Sequence, residues 1–454
     1  MRSLTSGNPA KLIFMFTIPL LVGNLFQQLY SISDTLIVGQ TLGVDALAAV
    51  GSTGSIQFLI IGFAQGLTAG LSIITAQRFG AKDYRGVRKS FAAGLLISLV
   101  ATIVLTAVSL FFVKDILTLM KTPPEIFGDA QTFISIIFGG IFASMAFNIL
   151  SNVIRALGDS RTPLYFLIFA SIINVGLELL FILVFHWGVA GAGFATIIAQ
   201  SCSVVFCLVY IYRKIPILHI GHHHFKEITM KNINEHLYVA LPMAFQASII
   251  AIGAIMLQSA LNGLGTTAVA STTAASKIDQ LSTQPMMSFG IGMATFTAQN
   301  YGAKKYSRVL DGVKKCLLMS GTFSVIASLL VILFGQQLVT LFVGNNAPKV
   351  VALSQVYFNI NGSFYLLLSV LFVIRYTLQG LGQSIIPTVA GVVELLMRSF
   401  AAIFLAGAFG YAGACFANPL AWGGSCVVLI YSYVKAVKNL KRLDLEQKSE
   451  NELA

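Results

Sequence analysis

The sequence predicts an all-α polytopic membrane protein whose twelve transmembrane helices form two pseudo-symmetric six-helix lobes. Three observations carry that expectation. Over 454 residues the chain is 56% hydrophobic and only 10% charged, with a mean hydropathy of +0.82, whereas soluble domains carry about 25% charged residues. Its apolar runs are long enough to cross a bilayer, which takes about 20 helical residues at 1.5 Å rise each. Three separate signatures also occur twice at nearly one spacing, the mark of an internal duplication.

Taken in order, the apolar runs place helices near 12–41, 46–77, 90–112, 130–154, 163–185, 190–212, 237–261, 268–299, 315–335, 351–378, 387–407 and 411–434. The first lies within KLIFMFTIPLLVGNLFQQLYSISDTLIVGQTLGVD, Lys11 to Asp45, where Asp34 is the only charged side chain between the ends. A short basic segment precedes it. The run is nevertheless too long for a signal peptide and lacks a small-residue cleavage site, so it reads as an uncleaved span. Helix 2 carries Gly62, Gly66 and Gly70, a small-residue stripe at spacing four that lets helices approach closely in lipid. Pro19 in helix 1 and Pro242 in helix 7 remove a backbone hydrogen bond inside a span, and Pro19 is the candidate hinge.

The duplication is read from the turns. AQRFGAKDYRGVRKSF follows helix 2 from Ala76, and AQNYGAKKYSRVLDGVKKC follows helix 8 from Ala298, an offset of 222. RALGDSRTP follows helix 4 from Arg155 and QGLGQSIIP follows helix 10 from Gln379, an offset of 224. Helix 6 opens with GVAGAGFA at Gly188 and helix 12 with GYAGACFA at Gly410, again 222 apart. Six spans is an even number, so both halves insert the same way up. An axis along the membrane normal should relate them, with substrate at their interface. The expected domains are an N-lobe over 1–212, a cytoplasmic linker over 213–236, a C-lobe over 237–434 and a cytoplasmic tail over 435–454.

The net charge of +12 suggests nucleic acid until its distribution is read. With both termini inside, cytoplasmic segments from Arg2 to Lys448 hold 23 of the 29 basic residues, and outer loops hold only Lys114, Lys121 and Lys349. Lys277, Arg375 and Arg398 fall within helices. This is the positive-inside bias of a membrane protein, not a nucleic-acid footprint. The five cysteines are odd in number and mostly inside apolar helices, so they read as small buried hydrophobes. His222 to His224 lack the spaced partners of a metal site and read as a solvated loop. No P-loop, HExxH or nucleophile elbow is present, so no enzyme is expected.

The polar residues inside the spans carry the functional reading. A carboxylate in a membrane helix costs roughly 2.5 to 3.5 kcal/mol on insertion scales, and the cost is tolerated where it lines a path or finds a partner. Counted from helix ends, Asp34 of helix 1, Glu178 and Asn174 of helix 5 and Thr196 of helix 6 lie near one level, roughly 10 Å below the outer surface. Asn174 and Glu178 share a helix face at spacing four. The four groups make an oxygen-rich cage for a small cation, or a proton site, because two close carboxylates in low dielectric cannot both stay ionised. The structural alternative is a hydrogen-bonded core cluster. The second half has no acid matching Glu178. It carries Lys277 and Asp279 in helix 8 and the i, i+4 pair Glu394 and Arg398 in helix 11. These charges are expected to neutralise one another, with Glu394 and Arg398 as a structural ion pair. Lys277, Asp279, Gln284, Met287 and Arg398 are the candidates for substrate contact or gating, soft methionine surfaces suiting varied organic ligands.

These residues resemble the multidrug and toxic compound extrusion (MATE) family, through DTLIVG at Asp34, the paired AQRFGAK and AQNYGAK turns, RALGDSRTP, and the helix 5 segment leading into WGVAGAGFAT. The resemblance covers essentially the whole chain and is nearer the DinF-like than the NorM-like branch. It implies that Asp34, Asn174, Glu178 and Thr196 form the coupling-cation site of the first lobe. The chain departs from the family in following Glu178 with Leu179, where Asp-Pro is common, and in having no acid in helix 7.

The function so implied is a secondary antiporter in the bacterial plasma membrane, both termini cytoplasmic, exporting organic cations against inward H+ or Na+. The rivals are a flippase for a lipid-linked precursor and a channel. No cofactor is expected beyond the coupling ion, and no metal beyond Na+ at that site. Membrane lipid and small organic cations are the expected partners, without nucleic acid, and the chain is expected to act as a monomer.

Overall fold

The computed structural model describes residues 3–453; Arg2, counted above at the cytoplasmic face, and Ala454 of the tail lie outside the described residues. Helix 1 spans Pro9–Leu42. Helix 2 spans Val44–Gly80 with a break at Thr53, and helix 3 spans Tyr84–Phe111. Helix 4 is a bent pair, Pro124–Gly139 and Ile141–Ala156, turning by 43°. Helix 5 is Arg161–Val184, helix 6 is Val189–Lys214 and helix 7 is Met230–Gly263. Helix 8 is Thr266–Gly302 and helix 9 is Tyr306–Val343. Helix 10 is a second bent pair, Pro348–Gly362 and Tyr365–Gly380, turning by 49°. Helix 11 runs from Ile385 to a kink at Gly410, and helix 12 takes over beyond it, its main length being Ala417–Leu453.

Among the described residues, nine single helices and the two bent pairs are long and apolar enough to cross a membrane. Helix 8, with 37 residues, is long enough but more polar, and it completes the twelve. Several helices begin earlier than expected: helix 3 at Tyr84 rather than 90, helix 7 at Met230 rather than 237, helix 9 at Tyr306 rather than 315. The apolar run measures the hydrocarbon, whereas the helix continues until a cap stops it. At helix 3 that cap is Asp83, whose Oδ1 accepts the Gly86 N–H at 2.8 Å. The expected cytoplasmic tail over 435–454 is helical over most of its length. It continues helix 12 to Leu453 because Ala436 and Leu440 are buried in a core with Val309 and Val313 of helix 9.

The duplication is visible in the backbone. Lys82 and Lys304 both take left-handed φ, 58° and 56°. Each closes its helix with the same pair of bonds: Lys82 N to Phe79 O and Asp83 N to Arg78 O, then Lys304 N to Tyr301 O and Lys305 N to Asn300 O. Gly188 and Gly410 share a φ of 61° where helices 6 and 12 open. A π turn ends helix 5 at Leu180–Val184, and another stands in helix 11 at Ala401–Leu405.

Packing divides the chain differently from the expected 1–212 and 237–434. One compact unit contains Val22–Ala244, and the other contains Leu4–Leu21 with Phe245–Ala454. The foot of helix 1 therefore belongs with the second half and the foot of helix 7 with the first. Each changeover falls two residues past a proline, Pro19 or Pro242. Glycine contacts explain it. In the first unit a Cβ on Gly66 or Gly70 would strike the backbone of Met243 or Ala240 in helix 7; in the second, a Cβ on Gly292 would strike Thr17 of helix 1. These small residues are helix-packing sites, as the stripe implied.

Each foot is also tied down. In the second unit Leu4 N–H donates to Gln299 Oε1 (2.9 Å), Lys305 Nζ to Thr5 O (2.7 Å) and Arg308 Nη1 to Gly7 O (2.7 Å). In the first unit Arg78 pairs with Glu235 at 3.1 Å, and Arg85 and Lys89 pair with Glu227 at 3.1 and 3.2 Å. Hydrogen bonds from Arg85 and Lys89 hold the Glu227 carboxyl below its usual range. The linker histidines form a helical turn, His222–Lys226, rather than an open loop, and buried His224 Nδ1 accepts the Gly221 N–H.

Candidate functional site

The first unit collects oxygens around helix 5. Asn174 and Glu178 lie one turn apart on that helix and are both fully buried. Thr196 of helix 6 accepts from Asn174 Nδ2 at 3.4 Å and donates to Ala192 O at 3.1 Å. That bond turns the Asn174 carbonyl away from Thr196. From helix 1, Tyr30 donates to Thr196 Oγ1 at 3.1 Å, and Asp34, one turn further on and half-buried, faces the Glu178 carboxyl within hydrogen-bonding reach. The four residues grouped by depth in the sequence are thus brought together. A water-sized cavity of about 20 Å³ adjoins Thr196, lined also by Gln57, Ser144 and Gln200.

The electrostatics of this cluster are unbalanced. Both oxygens of Glu178, Oδ1 of Asp34 and Oδ1 of Asn174 are buried and find no hydrogen-bond donor among the described residues. Buried acceptors are ordinarily satisfied, and buried charges are ordinarily paired. Two carboxyls that face each other need a proton between them or a cation beside them. Two carboxylates, an amide oxygen and a hydroxyl suit a proton or a monovalent hard cation. Among the described residues no three His, Cys, Asp or Glu side chains group as a transition-metal site would require.

The second unit treats its charges in the opposite way. Asp279 Oδ1 accepts from buried Tyr365 at 2.6 Å, and the Tyr357 hydroxyl faces the same carboxyl. Glu394, 3% exposed, lies between two arginines. Arg375, 5% exposed, forms an ion pair with its Oε1 and also donates to Ser425 Oγ at 3.0 Å. Arg398 Nη1 approaches Glu394 Oε2 at 3.5 Å while its Nε donates to Asn418 at 3.3 Å. The expected Glu394–Arg398 pair is present, but Arg375 is the closer partner. The expected neutralisation of Asp279 by Lys277 is not: residues two apart point to different sides of a helix, and Lys277 is exposed. Gln284 and Met287 are half-buried, while Met286 is wholly buried in the core. Among the described residues Asp279 bonds Tyr365 and Arg398 approaches Glu394, and no hydrogen bond or ion pair joins any two of Lys277, Asp279, Gln284, Met287 and Arg398.

Tyr30, Arg375 and the two tyrosines facing Asp279, Tyr357 and Tyr365, escaped the sequence reading. Tyr30 stands at spacing four before Asp34, a signal available by counting, but a tyrosine in an apolar helix is unremarkable until its partner is known. Arg375 lies nineteen residues from Glu394, and only the pairing of helices 10 and 11 brings them together.

A six-helix half written twice, with facing carboxyls unpaired in one copy, defines a membrane transporter rather than an enzyme. The MatE family profile matches residues 19–180 and 242–404, one copy in each half. The chain belongs to the MATE family. The Bacillus subtilis (strain 168) "Probable multidrug resistance protein YpnP" is 29% identical over 409 residues, covering 88% of this chain and 90% of the relative. The Escherichia coli (strain K12) "DNA damage-inducible protein F" is 23% identical over 346 residues, 75% of this chain and 74% of the relative. Among solved structures, the outward-facing conformation of a multidrug resistance MATE family transporter of the MOP superfamily superposes with a TM-score of 0.88. It is 22% identical and covers 97% of this chain and 98% of that one. A crystal structure of MATE in the bent conformation gives 0.88 at 23% identity over the same shares.

Proposed function

We propose that this chain is a plasma-membrane antiporter that exports organic cations by alternating access, driven by inward H+ or Na+ bound at Asp34, Asn174, Glu178 and Thr196. One observation carries the reading: buried oxygens in the first unit face each other with no donor between them, so the site is complete only with a cation or proton. The multidrug-resistance names of its relatives support the substrate class. Coupling requires that ion and drug prefer different conformations, because a ligand with equal affinity for both shifts nothing. Helix 1 offers the link. Its foot packs in one unit, and beyond Pro19 it enters the other and carries Asp34, so a bend near Pro19 on neutralising the site would move it. Commitment of both Arg375 and Arg398 to Glu394 supports antiport over a flippase that grips pyrophosphate. The positive-inside charge distribution supports cytoplasmic termini.

The test is export of a fluorescent organic cation by membrane vesicles with proton and sodium gradients imposed separately. Movement driven by one gradient is expected. Movement with no dependence on either gradient, or ion conductance without drug movement, would contradict the proposal.

A further inference from the structure

The second unit has a polar cavity that the transport reading does not use. Helix 9 begins at Tyr306, and helix 12 runs on to Leu453. The two are held together where Val309 and Val313 meet Ala436 and Leu440 in the core. Beside that seam lies a cavity of about 410 Å³, lined by Ser307, Leu310, Asp311, Lys314, Lys441 and Asp444, with Leu445 at its edge. Asp444 of helix 12 and Ser307 of helix 9 face each other across it.

The charges in this cavity sort unevenly. Asp311 is paired with Lys315 at 2.7 Å, and Asp444 with Lys448 at 2.8 Å. Each acid thus has a lysine partner outside the lining. Lys314 and Lys441 remain, exposed and without an ion pair or hydrogen bond among the described residues. Two free ammonium groups at one cavity, with a serine hydroxyl and leucine walls, fit a phosphodiester carrying an apolar body.

The cavity's level in the molecule selects the source of that phosphate. Leu318, one turn along helix 9 from Lys314, is 72% exposed, and Leu445 is 67% exposed. On helix 12, exposed Tyr431 holds the Lys435 ammonium 4.4 Å from its ring centre, the aromatic and basic pairing of a membrane surface. Lys314 and Lys441 thus stand where hydrocarbon gives way to headgroups, and juxtamembrane lysines attract anionic lipid. In the first unit helix 6 stops at Lys214 and the chain turns aside through Pro216–Leu218, so among the described residues helix 6 has no such extension.

We propose that this cavity binds the phosphate headgroup of an anionic phospholipid, gripped by Lys314 and Lys441. The test uses the full-length protein purified in detergent, with bound lipid counted by native mass spectrometry during titration with phosphatidylglycerol or phosphatidylcholine. Phosphatidylglycerol should bind, and the double variant Lys314→Gln/Lys441→Gln should weaken that binding on the order of tenfold, to the level of phosphatidylcholine. Lys349→Gln, at the start of helix 10, should bind as the unaltered protein does. Inorganic phosphate in excess should leave the lipid in place; its displacement of the lipid would assign the cavity to free phosphate and overturn the proposal. Undiminished phosphatidylglycerol binding by the double variant, or equal binding of phosphatidylcholine by the unaltered protein, would also overturn it.

Discussion

The two halves share a backbone and differ in how they treat buried charge. Both close their second helix with a left-handed lysine, both bend their fourth, and both carry a π turn in their fifth. Yet in the first unit the acids Asp34 and Glu178 face each other with buried oxygens unpaired, whereas in the second Asp279 has two tyrosine hydroxyls and Glu394 two arginines. Carboxyls already held by protein partners have no call on an external ion, whereas facing carboxyls without a donor leave room for a proton or a cation. The duplicated scaffold thus places a chemical demand in one half and a rigid polar core in the other.

The largest expected effect tests that contrast at its source. Asp34→Asn supplies an amide where a carboxyl needed a proton or cation, so gradient-driven export should fall to background with abundance near normal. Vesicle transport beside a membrane immunoblot reads both. Glu178→Gln should do the same or slightly less, and Glu178→Asp should keep partial activity. In the second unit the loss should appear in stability instead. Glu394→Ala strands two buried guanidinium groups and should cost about 3 to 5 kcal/mol, seen as lost abundance and a lower unfolding temperature. Neutralising Arg375 as well should rescue part of it, and more than neutralising Arg398, because Arg375 is the closer partner.

Smaller effects sharpen the comparison. Asp279→Asn weakens the hydrogen bond from Tyr365 and should cost about 2 kcal/mol, leaving the coupling-ion dependence of export unchanged. Tyr30→Phe removes one hydrogen bond to Thr196, worth about 1 kcal/mol, and should weaken the apparent affinity for the driving ion about fivefold. Lys277→Gln, on an exposed side chain, should change stability by less than about 0.5 kcal/mol. A large effect there would show that the second half uses its charges for more than packing.

Much of this contrast was legible in the sequence, for physical reasons that differ residue by residue. Asp34 announced itself because it is the one acid among some thirty uncharged residues of a membrane span, where a carboxylate is costly, and Asn174, Glu178 and Thr196 followed from counting depth along helices. The duplication showed in its turns because those turns carry specific backbone geometry, as Lys82 and Lys304 confirm. What stayed hidden depends on which helices touch. Lys277 was the plausible partner of Asp279 by nearness in sequence, but the partners lie in helix 10, as Tyr357 and Tyr365. The exchange of helix feet past Pro19 and Pro242 was likewise out of reach, since hydropathy reports depth in the membrane and not the neighbour across the interface.

The most direct measurement is coupling-ion binding to the purified protein, by calorimetric titration with sodium and by proton release on drug addition, compared across variants of the two halves. The double variant Asp34→Asn/Glu178→Gln should lose the ion-binding event, and Asp279→Asn should retain it with unaltered stoichiometry. Retention by the first variant, or loss in the second, would contradict the assignment of ion coupling to the first half alone.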